Sequence, residues 1–300
     1  MRSRVFAVLF IALSLAACSN NPSPTQIRAT SSAQSAATLT AEPSSTPAPP
    51  TPTPEPLALK VNGEGVSLAE YQAQVKQIQA AEPNGDAAAQ RKRVMQELVN
   101  ETLLAQAAFK GGFSLDETAL QAKIDALAKQ AGSEAALTDW QTRMGYTPAS
   151  LRSALRRSVA AAWEREKIFA SVPTSAEQVH ARQILVQSEA LANQVETQAR
   201  QAGTNFATLA FGYDRVTGGD LSWFPKGYLN EQAVEDAAFA LQPGQISDVI
   251  KSSIGYHIIQ VIARETRPLS QSALLATQKK ALSAWLENAA RQSQVEELAP

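Results

Sequence analysis

Residues 19–57 hold nine Pro and fourteen Ser or Thr, and close on Thr46-Pro47-Ala48-Pro49-Pro50-Thr51-Pro52-Thr53-Pro54-Glu55-Pro56. A segment with almost nothing large and apolar to bury cannot offset the entropy of ordering its own chain. Its Pro-rich half is expected to be extended, at ~3.1 Å per residue. The stretch therefore confines the folded part of this 300-residue chain to what begins at Leu57. It reads either as a spacer or as a glycosylated stalk.

The residues before the spacer read as an address. Arg2 and Arg4 precede an apolar run from Val5 to Leu15. That run is shorter than the ~20 residues a transmembrane helix needs, and it fits the plan of a secretory signal. Leu15-Ala16-Ala17-Cys18 then matches the bacterial lipobox, with small residues before the cut and a thiol to lipidate. Residues 1–17 are expected to be the signal and Cys18 the lipidated residue. A diacylglyceryl group on Cys18 would tether the chain firmly, because two acyl chains hold where one does not. The chain is expected outside the cytoplasm, on the cell membrane or the outer membrane. Cys18 is the only Cys, so no internal disulfide is possible. Without Arg2 and Arg4, the 27 basic residues become 25 against 28 acidic, a net of −3. No clustered basic patch points to nucleic acid.

From Leu57 the pattern turns globular. Leu57 to Val61 alternates as a short strand does, and Asn62-Gly63 is a turn signal. Ser67-Leu-Ala-Glu70 is a capping box opening a helix to about Ala81. A long helix is expected over Ala87 to Lys110, with Val94, Leu98, Val99, Leu103 and Leu104 apolar and Gly111-Gly112 ending it. Ser114-Leu-Asp-Glu117 is a second capping box. Its helix carries Leu120, Ile124, Leu127 and Ala131 on one face. Thr147-Pro148 starts another helix, running to about Ala170. After Pro173 strands and helices alternate. Ala181–Val186 reads as a strand, 189–201, 205–211 and 233–241 as helices, and 246–250 and 256–262 as β-rich. Thr217-Gly218-Gly219-Asp220 reads as a tight turn rather than a phosphate cradle. Residues 270–297 form one amphipathic helix with Leu274, Leu275, Ala281, Leu282, Trp285, Leu286 and Ala289 on its apolar face. Such a face must pack, and the earlier helices are its natural partner.

Residues 179–264 resemble the parvulin type of peptidyl-prolyl isomerase. Three pieces carry the resemblance in order: Ala181-Arg182-Gln183-Ile184-Leu185-Val186; Gly218-Gly219-Asp220-Leu221-Ser222-Trp223-Phe224; and Phe239 to Ser247 followed by Gly255-Tyr256-His257-Ile258-Ile259. The flanking helical part resembles the chaperone domain of SurA- and PrsA-type extracytoplasmic foldases, from Val61-Asn62-Gly63-Glu64 and Ser67-Leu-Ala-Glu70. The resemblance implies an α+β fold: a helical chaperone domain (57–172) with an inserted parvulin-like domain (173–268), a small antiparallel sheet with helices. Residues 269–300 would pack back on the helical part, and residues 18–56 would be lipidated Cys and linker.

The implied reaction breaks no covalent bond. An Xaa-Pro amide must rotate over a barrier of ~18–20 kcal/mol, which unassisted takes tens to hundreds of seconds. The enzyme binds the twisted amide better than either planar form, and it needs no metal or cofactor. The resemblance implies a Pro pocket from Leu229, Val234 and Phe239, where the family places Met, Phe and Phe; plain core packing is the other reading of each. His257 matches the family's second histidine, part of a cluster of two histidines, a Cys or Asp, and a hydroxyl.

Three departures stand out. Gln183 replaces the first histidine, and His180, three residues away, lies on the opposite strand face unless a bulge intervenes. The loop 212–217 is short, with Asp214 the candidate for the family's Cys or Asp. Ile254 stands where some members carry Ser. The implied partners are unfolded or nascent exported polypeptides with Xaa-Pro bonds, and the membrane through Cys18. The implied function is a membrane-anchored foldase; the alternative is a holdase with a degenerate parvulin unit. A solute-binding lipoprotein would share the anchor but needs a larger two-lobed α/β fold.

Overall fold

The computed structural model describes residues 55–299; Cys18, its signal and most of the spacer lie outside them. Strands β1 (Leu57–Val61) and β2 (Glu64–Ser67) form a hairpin. Asn62 and Gly63 both take positive φ, 51° and 85°, as a two-residue primed turn requires. Five helices follow: α1 (Leu68–Ala81), α2 (Ala87–Lys110), α3 (Glu117–Ala131), α4 (Glu134–Met144) and α5 (Pro148–Ala170). The apolar stripe of α2 packs under the hairpin, where Val94, Leu98, Val99 and Leu103 meet Leu59, Val61, Val66 and Tyr71. Its far end, Leu104, Ala105 and Ala108, packs on Ala160, Ala161 and Ile168 of α5.

The caps hold with two corrections. Ser67 accepts from the Glu70 amide at 3.2 Å, but the Glu70 carboxylate does not complete the box. It turns inward to Arg157 on α5, and both side chains are buried. Arg157 Nε also lies 3.4 Å from Glu101 of α2. Burial pushes both carboxyls up, Glu101 to about 7. The second box is displaced as well: Asp116, not Ser114, caps α3, accepting from the Ala119 amide at 2.7 Å. Thr147 and Ser150 form the full box of α5, with Pro148 in its first turn. Helix α4 is an element the sequence reading did not single out; only Leu137 is buried along it, so its apolar stripe is faint.

The second sheet has the order β4-β3-β6-β5, all antiparallel. Its strands are β3 (Ser175–Val186), β4 (Asp220–Pro225), β5 (Ile250–Ser252) and β6 (Gly255–Pro268). Strand β3 begins six residues before the apolar run because its polar first half is held by pairing along β6, from Ser175↔Pro268 onwards. Helices α6 (Glu189–Ala199) and α7 (Phe206–Tyr213) cover one face through Ile184, Val186, Val195, Phe206 and Ile258. Helix α8 (Gln232–Ala240) covers the other through Val179, Phe224, Val234, Ile259 and Val261.

The chain then returns. Helix α9 (Gln271–Arg291) lays Trp285 against both clusters of the helical unit, with Ala281, Leu282 and Leu286 on the α5 side. Leu275 of the expected face is 47% exposed. The helix does not run to Glu297. It ends at Arg291, and β7 (Val295–Glu297) joins the open edge of β1, giving a three-stranded sheet β2-β1-β7. Asn62 captures the crossing chain: its amide donates to Gln294 O at 2.8 Å and its Oδ1 accepts from Gln294 N at 3.0 Å. Unpaired strand-edge groups outcompete another helical turn here. The four-stranded sheet with its helices is thus an insertion between α5 and α9. No helix among the described residues is long and apolar enough to cross a membrane.

Candidate active site

His257 sits in β6, 1% exposed, between two polar partners. Its Nδ1 lies 2.9 Å from Gln183 Oε1, across the β3–β6 pair, and its Nε2 lies 2.7 Å from Ser252 Oγ. With the Gln183 oxygen facing it, Nδ1 carries the proton, and Nε2 is left to accept the Ser252 hydroxyl. The Ser252 oxygen in turn accepts from the Ile254 amide at 3.2 Å. Burial pushes the imidazole pKa down, and the Glu231 carboxylate nearby opposes that. The site therefore presents a neutral imidazole at neutral pH, held at both nitrogens.

Gln183 is fixed by the loop before β4. Its amide donates to Gly219 O at 2.8 Å. Gly218 and Gly219 take φ of 63° and 71°, and a Cβ on Gly219 would stand 1.9 Å from the Gln183 carbonyl oxygen. Only glycine allows that approach. The turn reading of these glycines is the one the backbone supports.

Asp214, the candidate for the family's Cys or Asp, spends its carboxylate on its own loop. It makes no hydrogen bond to His257 or Gln183. Its carboxylate accepts from the Thr217 hydroxyl and from the amides of Val216 (2.9 Å) and Thr217 (3.1 Å), which hold it at about 2, well below the usual carboxylate range. It also takes a long bond of 3.4 Å from Gly219 N. Asp214 therefore shapes the turn that carries Gly219. His180 does meet a bulge in β3, yet it pairs with Asp220 at 2.8 Å and packs on Trp223, not on His257.

Leu229, Val234 and Phe239 share one apolar cluster with Phe224. Val234 is 2% exposed and packs in the core, the second of its two readings. Leu229 and Phe239 are half-buried. The Phe239 ring stands edge-on to Phe224 and under the Arg264 guanidinium. It also lines a cavity of about 250 Å³ with Pro173, Glu177, Pro225, Leu269 and Thr277. Buried Glu235 sets the loop before α8, accepting from the amides of Gly227, Tyr228 (2.8 Å) and Leu229 (3.0 Å).

Comparison with known sequences places the chain in a family. Residues 167–265 match the model described as the PPIC-type PPIASE domain, and residues 53–145 match the SurA-like N-terminal domain. A foldase protein PrsA of Caldanaerobacter subterraneus subsp. tengcongensis is 31% identical over 233 residues, covering 70% of this chain and 74% of the relative. The chain belongs to the PrsA family of foldases. A PrsA of a Geobacillus species is 35% identical over 125 residues, 40% of this chain, and the match spans under half of that relative, 45%. A crystal structure of the peptidylprolyl isomerase PrsA from Bacillus cereus aligns at 21% identity and TM-score 0.44, covering 76% of this chain and 87% of that one.

In this PrsA-family chain the buried histidine has two neutral hydrogen-bond partners, Gln183 and Ser252. The sequence reading missed Ser252, because it looked for the hydroxyl at Ile254. The signal was the hairpin: Ser252 pairs with Gly255, so its side chain returns to the face of His257. It also passed over Glu231, whose carboxylate sits on the same hairpin.

Proposed function

We propose that the chain is a membrane-anchored extracytoplasmic foldase that isomerises Xaa-Pro bonds in exported proteins. The observation that carries this reading is His257, buried and held between Gln183 and Ser252, within residues that match the PPIC-type model. Leu229 and Phe239, half-buried in the apolar cluster of the same unit, would receive the prolyl ring. A polar cluster that answers shifting charge on the amide, without exchanging protons with it, is sufficient, since the reaction is a bond rotation. Cys18 and the Pro-rich spacer would hold this unit where exported chains emerge unfolded. Isomerisation of Xaa-Pro tetrapeptides by the full chain tests the reading. A rate above the uncatalysed one, falling at least tenfold in His257→Ala, is expected; no rate above background would sink it.

One observation favours a second reading, a holdase without catalysis: the partner of His257 Nδ1 is an amide that cannot titrate, and Asp214 is turned to its own loop. That reading expects suppression of aggregation of an unfolded client with no isomerisation. Gln183→His separates the two, because a large gain in rate would mark a site that has lost its activity.

A further inference from the structure

Glu231 occupies the N-cap position of α8 and makes no side-chain cap bond. Residues at that position normally spend a side-chain oxygen on the first free amides of their helix. Glu231 spends its carboxylate on another element. Its Oε2 accepts from the Ser253 amide at 3.2 Å, and its Oε1 from the Ser253 hydroxyl. Both bonds fall on the two-residue turn between β5 and β6, next to the serine whose hydroxyl meets His257 Nε2.

We propose that Glu231 is a positioning residue of the isomerase site: by fastening the Ser253–Ile254 turn, it holds in place the adjoining Ser252 hydroxyl that fixes the His257 ring. The inference rests on the isomerase reading above and deepens it. Within the turn, the Ile254 amide donates to Ser252 Oγ at 3.2 Å and Ser252 pairs with Gly255. Ser253 and Ile254 are exposed, and Ile254 reaches solvent at 52%. From outside the hairpin, Gln187 adds a long bond to Ile254 O, 3.3 Å. A free turn would let Ser252 rotate away, and Nε2 would lose its donor. The imidazole would then be held at Nδ1 alone. Of the groups around the ring, Gln183 on β3 and Ser252 on β5 are neutral, and Glu231 is the carboxylate whose charge reaches it. Hydrogen bonds from Ser253 keep that carboxylate ionised, holding it below its ordinary value.

The chain has two histidines, so imidazole NMR of the full chain reads His257 with His180 as an internal control. In Glu231→Ala and Ser253→Ala, the proposal expects kcat/KM for an Xaa-Pro tetrapeptide to fall about tenfold, mostly in kcat. Glu231→Gln keeps an acceptor but removes the charge. It should move the His257 titration midpoint down and leave His180 in place. A lower unfolding temperature in these variants, with the His257 titration and kcat/KM unchanged within twofold, would reduce Glu231 to a loop staple and overturn the proposal. If the unsubstituted chain turns over no Xaa-Pro bond, the isomerase reading fails by itself. The His257 titration in Glu231→Gln still decides whether the carboxylate acts on the ring.

Discussion

Gly219→Ala is the sharpest perturbation the structure offers. A methyl on Gly219 lands 1.9 Å from the Gln183 carbonyl oxygen and must retreat by about 1 Å before reaching the 3.0 Å that real contacts respect. The retreat breaks the 2.8 Å bond between Gln183 N and Gly219 O, worth about 1 kcal/mol. Overpacking adds about 1–3 kcal/mol, and a φ of 71° on alanine about 1–2 kcal/mol more. The sum is about 3–6 kcal/mol, a large share of the ~5–15 kcal/mol that holds a typical domain. Gly218→Ala is the matched control. Its φ is 63°, so it meets the same conformational cost, but its nearest neighbour is a Phe211 ring carbon at 3.6 Å, ordinary contact. It should cost about 1–2 kcal/mol. Urea denaturation read by amide exchange along β3 measures both. A gap of about 3 kcal/mol is about two decades in protection. Equal losses in the two variants would refute the argument that the Gly219 backbone fixes Gln183.

Other outcomes follow from the helical unit and the turn. Arg157→Met leaves Glu70 buried without its partner, and thermal unfolding should show a loss of about 3–5 kcal/mol; pairing it with Glu70→Leu should recover most of that. Glu101 has its folded pKa raised from 4.5 to about 7 by burial. The folded state therefore holds this proton more tightly than the unfolded one. Its contribution is fully present below about pH 4.5 and lost as pH rises through about 7, at most about 3 kcal/mol. Melting temperatures of Glu101→Gln should fall less than those of the unsubstituted chain between pH 5 and 8. Asp214→Ala should speed amide exchange at Thr217 and Gly219 while the His257 titration stays fixed; a moved titration would return Asp214 to the site.

Much of the molecule is written in short-range chemistry. The Asn62-Gly63 turn, the Ser67 and Thr147 caps, the stripe of α2 and the glycines at 218–219 each rest on groups a few residues apart, so periodicity and turn chemistry expose them. His257 and Gln183 were legible through the motifs that surround them. The rest depends on residues far apart in the chain. Glu70 looks like half of a capping box until Arg157, 87 residues on, arrives to claim it. The last residues extend the tail helix on paper, yet join β1 because an open strand edge and Asn62 stand there to receive them. Ser252 reaches His257 through hairpin register, and Glu231 through the docking of a helix end on that hairpin. A polar side chain takes the strongest unpaired partner within reach, and reach is a property of the folded chain.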